Sequence, residues 1–290
     1  MRAIYRHELS SHFSNLTGYV FGAFLLLFTG LFTVYYNVEG ALAYFEYTLG
    51  DIYIALVYVI AIPLLTMRVI AEERKQKTDA LLYSLPISMT RVVLGKYLAM
   101  LTVLAVPMGI VCLYPLLLSA YGPMHLPTAF GAIGGFFLLG ASLLSMGLFV
   151  SALTESQAVS AGMCFVVMLI NYFIADLANF IGASAFASYA AYAVVLLLAG
   201  LVVYRRTKNQ VIGIGVCLLG QGGLLLYYTS NPRAFEGSFG ELIRKLSVFE
   251  RFYDFVLGIF NLKSILYLVS VCVLFVYLTV ETMEKRRWSE

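Results

Sequence analysis

Eight long apolar runs constrain the fold of this chain of 290 residues more than any other feature. They cover residues 16–36, 52–69, 97–119, 128–151, 158–177, 186–204, 210–229 and 264–281. Each run approaches the roughly 20 apolar residues that a helix needs to cross a bilayer. A helix also satisfies its own backbone hydrogen bonds in lipid. The pattern therefore predicts an all-α integral membrane protein, a helical bundle with about eight transmembrane helices and a single domain over 1–290.

The positions of the basic residues predict the orientation of these helices. With a cytoplasmic N-terminus, the segments 1–15, 70–96, 152–157, 205–209 and 282–290 lie inside, and Arg68 lies at their boundary. These inner segments and Arg68 account for 14 of the 19 Lys and Arg residues. The other five are Arg233, Arg244, Lys245, Arg251 and Lys263. All five fall in one outer segment. The positive-inside rule therefore favours eight spans, with both termini in the cytoplasm of a bacterial-type inner membrane.

A polar stretch from Arg68 to Lys96 separates the second and third runs. It begins with five charged residues between positions 72 and 77, and leucines then follow at helical spacing until Pro86. This pattern predicts a short amphipathic helix on the cytoplasmic face, of a kind that can press against a soluble protein. The alternative is a helix whose cations bind anionic lipid at the membrane surface.

The outer segment 230–263 has a second amphipathic pattern, with charged and apolar residues alternating at helical spacing. It is too charged to span the membrane, so we expect a helix along the outer interface. A small external cap over a translocation route is the alternative.

No motif for nucleotide or metal chemistry is evident in the sequence. Lys96 follows Gly95, but the phosphate-binding pattern GxxxxGK[ST] is incomplete because Tyr97 comes next. The three histidines are separated in the predicted topology, and HExxH is missing. We therefore expect no catalytic residues, no metal and no cofactor in this chain.

The stretch EERKQKTDALLYSLPISMTRVVLGKYLA resembles the segment after the second span in type-2 ABC transporter permeases, the ABC-2 family. The matching residues are Glu72, Glu73, Arg74, Leu81, Leu82, Ser84, Leu85, Pro86, Ile87, Ser88, Gly95 and Lys96.

A second stretch, from Leu246 to Trp288, is similar to the C-terminal end of permeases in the gliding-motility and nitrous-oxide-reductase-maturation branch. There an F-x-x-F-x-D-F-x-x-G-[IV] pattern, which here ends at Gly258 and Ile259, precedes the last span and a basic tail. Members of that branch usually have six spans, so the 186–229 hairpin is a departure.

The resemblance implies a permease subunit that pairs with a second permease, a copy or a paralogue, and with two separate ATPases that carry ATP and Mg. It implies that 1–15 is an elbow helix and that 70–96 contains the coupling helix that docks on the ATPase. The implied docking residues are Glu72, Glu73, Arg74, Leu81, Leu82, Tyr83, Leu85 and Pro86.

The cargo is predicted only by class. The interior is poor in charge, whereas small ions require rings of charges or carbonyls, so we expect export or extraction of a hydrophobic or peptide-like molecule. Candidate lining residues are Tyr19, Phe24, Tyr58 and Asn171, for which ordinary packing is the alternative. A different class of function also fits the sequence, namely a membrane scaffold that docks a soluble enzyme and transports nothing.

Overall fold

The computed structural model describes residues 1–78, 87–181, 184–207 and 210–288, and all regular structure within these ranges is helical. The α-helices there are α1 (Arg2–Ser14), α2 (Thr17–Thr33), α3 (Phe45–Leu49), α4 (Ile52–Thr66), α5 (Ala71–Lys75), α6 (Met89–Val111), α7 (Leu113–Ser119), α8 (Leu126–Leu153), α9 (Gln157–Ile181), α10 (Ala185–Thr207), α11 (Gln210–Ser230), α12 (Ser238–Leu246), α13 (Val248–Val256) and α14 (Leu262–Arg287). A π-helical turn, Val34–Glu39, extends α2, and a 3₁₀ turn, Pro232–Phe235, precedes α12.

Seven helices in the described part of the chain are long and apolar enough to cross a membrane. They are Thr17–Glu39, Ile52–Lys75, Met89–Ser119, Leu126–Leu153, Gln157–Ala178, Ala185–Arg205 and Leu262–Arg287. The all-α polytopic fold is thereby confirmed. The eighth predicted segment, 210–229, forms α11 but is not among these seven, so the count of eight spans stays a prediction.

The chain divides into two compact units, Met1–Ile170 with Arg251–Glu290, and Asn171–Glu250. In the first unit, α8 is the central helix, since α4, α6 and α14 all pack against it. It carries no charged residue along its length. A helix that is apolar all round is suited to burial inside a membrane bundle.

Three glycines let neighbouring helices approach α8 closely. A Cβ atom at Gly135 would lie 2.6 Å from the ring of Phe255, and one at Gly140 would lie 2.8 Å from Leu104. At Gly147 it would lie 2.5 Å from Thr66 Oγ1 and 2.9 Å from Thr66 Cβ. Small residues at helix contacts allow this close packing in a membrane bundle.

Gly147→Ala and Gly134→Ala should change stability in opposite directions. At position 147 the methyl group meets the short, buried Thr66 side chain, and such overpacking costs about 1–3 kcal/mol. At position 134 nothing lies within 4 Å, so alanine should add up to about 1 kcal/mol of helix propensity. Thermal midpoints of the two solubilised variants test this. Equal shifts would contradict the close approach at Gly147.

Four chain segments meet at one end of the first unit. Arg287 Nη1 donates to the Ile87 carbonyl at 3.5 Å, and Arg286 forms an ion pair of 3.4 Å with Glu155. Helix α1 packs along α6 at the same end, where Glu8 contacts Lys96. Helix α1 and the basic end of α14 therefore lie on the same side of this unit as residues 67–78 and 87–88, as the predicted topology requires.

In the second unit, α10 and α11 form an antiparallel pair. Tyr189 lies beside Tyr228 with ring centroids 4.8 Å apart, and Gln221 Nε2 donates to the Ala193 carbonyl at 2.7 Å. Further along, Leu196 contacts Gly220. Residue numbers fall on one helix as they rise on the other, so the two helices run antiparallel, and a hairpin of two membrane spans over 186–229 stays a prediction.

The outer segment 230–263 differs from the single interfacial helix that its pattern predicts. It forms the 3₁₀ turn and two short helices, α12 and α13, which meet at Ser247. Phe252 and Phe255 on α13 are buried, and Phe252 packs against Phe136 of α8 at 5.5 Å. The apolar face of α13 therefore contacts protein rather than lipid, because α8 presents a small-residue surface that accepts the two rings.

Candidate functional site

The candidate site is the connection between α4 and α6, at the end of the first unit where both chain ends lie. The predicted docking residues Leu81, Leu82, Tyr83, Leu85 and Pro86 lie outside the described residues. The structure describes what holds the connection on both sides, through residue 78 and from residue 87.

Lys96 is the centre of a buried charge cluster. Its side chain is 1% exposed, and Nζ donates to Glu8 Oε1, to Glu73 Oε1 at 2.7 Å and to the Val69 carbonyl at 2.9 Å. An ammonium group has three N–H donors, and each has an acceptor here. One side chain thus joins α1, the 67–70 turn, α5 and α6.

The short helix α5 is fixed to the end of α8 by two further sets of bonds. Ser151 Oγ accepts from the backbone N–H groups of Ile70 at 3.2 Å and Ala71 at 3.1 Å, where α5 begins. Arg74 is 5% exposed, and its Nη1 donates to the Ala152 carbonyl. A helix of five residues is marginal alone, so these contacts are what hold α5 in place.

Helix α1, which the resemblance predicts to be an elbow helix, contacts α6 at several points. Ile4 packs over Gly95, where a Cβ would lie 3.2 Å from Ile4 Cγ2, and Tyr5 Oη lies 3.0 Å from Thr102 Oγ1. Helix α6 begins at Met89 rather than at the predicted residue 97. Residues 89–96 are helical because Val92, Val93 and Lys96 are buried there.

The predicted docking residues in the described part of this region have different surroundings. Glu73 and Arg74 make their contacts with this chain itself, to Lys96 and to the end of α8. Glu72 is only half-buried and lines a cavity beside α1. Sequence reasoning did not find the pairing of Glu73 with Lys96 and Glu8, although opposite charges on the two sides of the connection were the available signal.

That cavity has a volume of about 670 Å³ and lies between α1, the C-terminal end of α4 and α5. Charged and polar side chains line most of it, including His12, Arg68, Glu72 and Glu73. Burial lowers the pKa of His12, and the Lys96 charge lowers it further while Glu8 opposes both. His12 is therefore a neutral imidazole at neutral pH.

The four predicted lining residues have different surroundings. Tyr58 is fully buried and stacks on Phe136 with centroids 4.2 Å apart, and its hydroxyl donates to the Phe136 carbonyl at 3.2 Å. Asn171 belongs to the second unit, where Oδ1 accepts from the Val248 N–H at 3.2 Å. Tyr19 is exposed and Phe24 half-exposed on α2. Tyr58 and Asn171 thus have packing roles, and the path stays a prediction.

Among the described residues no three His, Cys, Asp or Glu side chains are grouped so that they could hold a metal ion. Charged and hydrogen-bonded contacts link the connection between α4 and α6 to four helices. Such an arrangement is suited to transmitting a force rather than to catalysing a reaction.

Comparison with known proteins supplies the family. A family model described as "ABC-2 family transporter protein" matches residues 2–280, nearly the whole chain. No curated protein and no solved structure matched. Since the match covers six of the seven candidate membrane helices in full, most of the seventh and the connection between α4 and α6, this chain belongs to the ABC-2 family of transporter proteins, whose members are the permease subunits of ABC transporters.

Proposed function

We propose that this chain couples ATP hydrolysis by a separate ABC ATPase to movement of a hydrophobic or peptide-like molecule across a bacterial-type cytoplasmic membrane. The ATPase docks on the connection around residues 79–86. The resemblance of the motif there to the coupling region of type-2 permeases supports this assignment, as does the family match over residues 2–280.

The Lys96 cluster is the observation that carries the proposal. It joins both sides of the connection, through Glu73 on α5 and through α6, and it reaches α1 through Glu8. Helix α5 is also fixed to α8 by Arg74 and Ser151. A push on residues 79–86 therefore passes into helices α4, α6 and α8 with little slack, as a transmitting lever requires.

In this proposal, Glu73 and Arg74 position the connection, and Leu81, Leu82, Tyr83 and Leu85 supply the buried anchor on the ATPase. Glu72 and the exposed Lys75 and Lys77 contribute to orientation and to the rate of association. The complex contains two ATPases and a second permease, either another copy or a paralogue. The chain itself belongs, in this proposal, to the gliding-motility and nitrous-oxide-reductase-maturation branch.

The orientation follows from the charge distribution. The end that carries α1, the connection and the basic end of α14 is rich in Lys and Arg, so the positive-inside rule places it in the cytoplasm. Eight spans then put both termini inside.

Cysteine labelling tests this topology after replacement of Cys112, Cys164, Cys217 and Cys272. Cysteine at position 207 should react with a membrane-impermeant reagent only after the cytoplasmic side is opened. Cysteines at positions 37, 122 and 237 should react in intact cells. Labelling of position 207 from outside would remove the 186–229 hairpin from the membrane and reduce the count to six spans.

Co-purification and ATP turnover test the function itself. A tagged form of the chain, coexpressed with an ABC ATPase encoded beside it, should retain that ATPase and change its turnover rate in reconstituted membranes. Lipids and lipopeptides should stimulate turnover further. Stimulation by small ions alone would contradict the cargo class. Retention of an ATPase whose turnover does not respond to the permease would instead favour a non-transporting scaffold.

A further inference from the structure

The cavity beside α1 continues into an apolar groove between α2 and α4. The groove has a volume of about 220 Å³ and is lined by Val20, Phe21, Phe24, Ile60 and Leu64 among other residues. Asn15, Thr17 and Arg68 line both the cavity and the groove. The polar cavity thus opens into the apolar groove where the first predicted span begins and the second one ends.

Three buried polar atoms of the cavity walls have no hydrogen-bond partner among the described residues. They are His12 Nε2, Arg68 Nε and Glu73 Oε2. His12 is 6% exposed, and Glu73 uses only its other oxygen to bind Lys96. Buried polar groups are nearly always hydrogen-bonded, so three unpaired atoms around one cavity require partners that water or a polar ligand can supply.

The charges of the walls restrict the ligand. Arg68 offers a cationic donor, whereas Glu72 and the free oxygen of Glu73 offer anionic acceptors. The two carboxylates would repel a purely anionic headgroup, and the guanidinium of Arg68 would repel a purely cationic amphiphile. A headgroup with both signs satisfies all of these groups. Because Glu73 Oε2 needs a donor, the cationic part must carry N–H bonds, as a primary ammonium does and a quaternary one does not.

We propose that the cavity and the groove together bind one phospholipid whose headgroup carries both a phosphate and a primary ammonium, as phosphatidylethanolamine does. Arg68 binds the phosphate, His12 hydrogen-bonds a phosphate or ester oxygen, and Glu72 with Glu73 binds the ammonium. One acyl chain enters the groove along Val20, Phe24 and Leu64. A cavity of about 670 Å³ falls within the usual range for small-molecule sites. The site shares Glu72, Glu73 and Phe24 with the roles given above, but lipid binding by the isolated chain requires neither the ATPase nor transport.

The test uses the purified, delipidated full-length chain titrated with phosphatidylethanolamine, phosphatidylglycerol or phosphatidylcholine of matched acyl chains. Native mass spectrometry measures bound lipid, and the thermal midpoint measures stabilisation. We expect one phosphatidylethanolamine per chain, held at least about tenfold more tightly than either other lipid, since a charged hydrogen bond is lost in each of those cases. Equal binding of phosphatidylglycerol or phosphatidylcholine would overturn the assignment.

Matched variants locate the site. Arg68→Gln should weaken phosphatidylethanolamine binding about tenfold, whereas Arg91→Gln, an exposed cation at the same end, should not change it. Val20→Trp should fill the groove and abolish binding of phosphatidylethanolamine. Leu27→Trp, at a similarly exposed position two turns further along α2, should leave that binding unchanged. Normal elution in size-exclusion chromatography verifies folding. If both members of either pair behave alike, the lipid binds elsewhere and the proposal fails.

Discussion

Lys96→Met should destabilise the permease more than any other single change at this site. The variant leaves Glu8 and Glu73 facing one another without their shared cation, and it leaves the Val69 carbonyl without its donor. Removing one partner from a buried ion pair typically costs about 3–5 kcal/mol. We therefore expect a large fall in the thermal midpoint and in the yield of monodisperse protein from solubilised membranes.

Two comparisons make this result specific. Arg91→Met removes an exposed cation five residues earlier on the same helix and should have little effect. Adding Glu8→Gln to Lys96→Met should restore part of the loss, because one of the uncompensated carboxylates is then neutral. If the double variant is less stable than Lys96→Met alone, the cluster is not an electrostatic unit.

Leu82→Asp should abolish retention of the partner ATPase while the permease stays folded in the membrane. A carboxylate at a buried anchor would be desolvated without a counter-ion. The free-energy cost of that desolvation exceeds the binding free energy that the rest of a small interface supplies. The matched control is Thr78→Asp, which adds the same charge at an exposed position just before the segment. Pull-down of the coexpressed ATPase with each variant gives the answer. Wild-type recovery with Leu82→Asp would remove that residue from the interface.

The membrane helices were the most predictable part of this fold. Hydropathy and span length depend on local sequence alone, so the runs at 16–36, 128–151 and 264–281 closely match α2, α8 and α14.

The electrostatic organisation of the site was less predictable. Glu73, Arg74 and Lys96 fall in a polar stretch, and such residues normally face water. Their burial depends on partners far along the chain, namely Glu8 for Lys96 and the end of α8 for Arg74. A local pattern cannot reveal a partner 88 residues away. For the same reason the helix starts eight residues before the predicted third span, since these contacts stabilise helix from Met89 onward.

The outer segment illustrates the same limit for apolar contacts. Its amphipathic pattern is equally suited to lipid and to protein, and the sequence does not distinguish between them. The apolar face of α13 contacts protein because Gly135 of α8 leaves room for the ring of Phe255.

Photocrosslinking from position 82 tests the central claim most directly. A photoreactive residue in place of Leu82, activated in cells, should capture a soluble ABC ATPase, and ATP-bound and nucleotide-free states should differ in yield. Crosslinks confined to membrane lipid would contradict docking and would identify the connection as a surface helix.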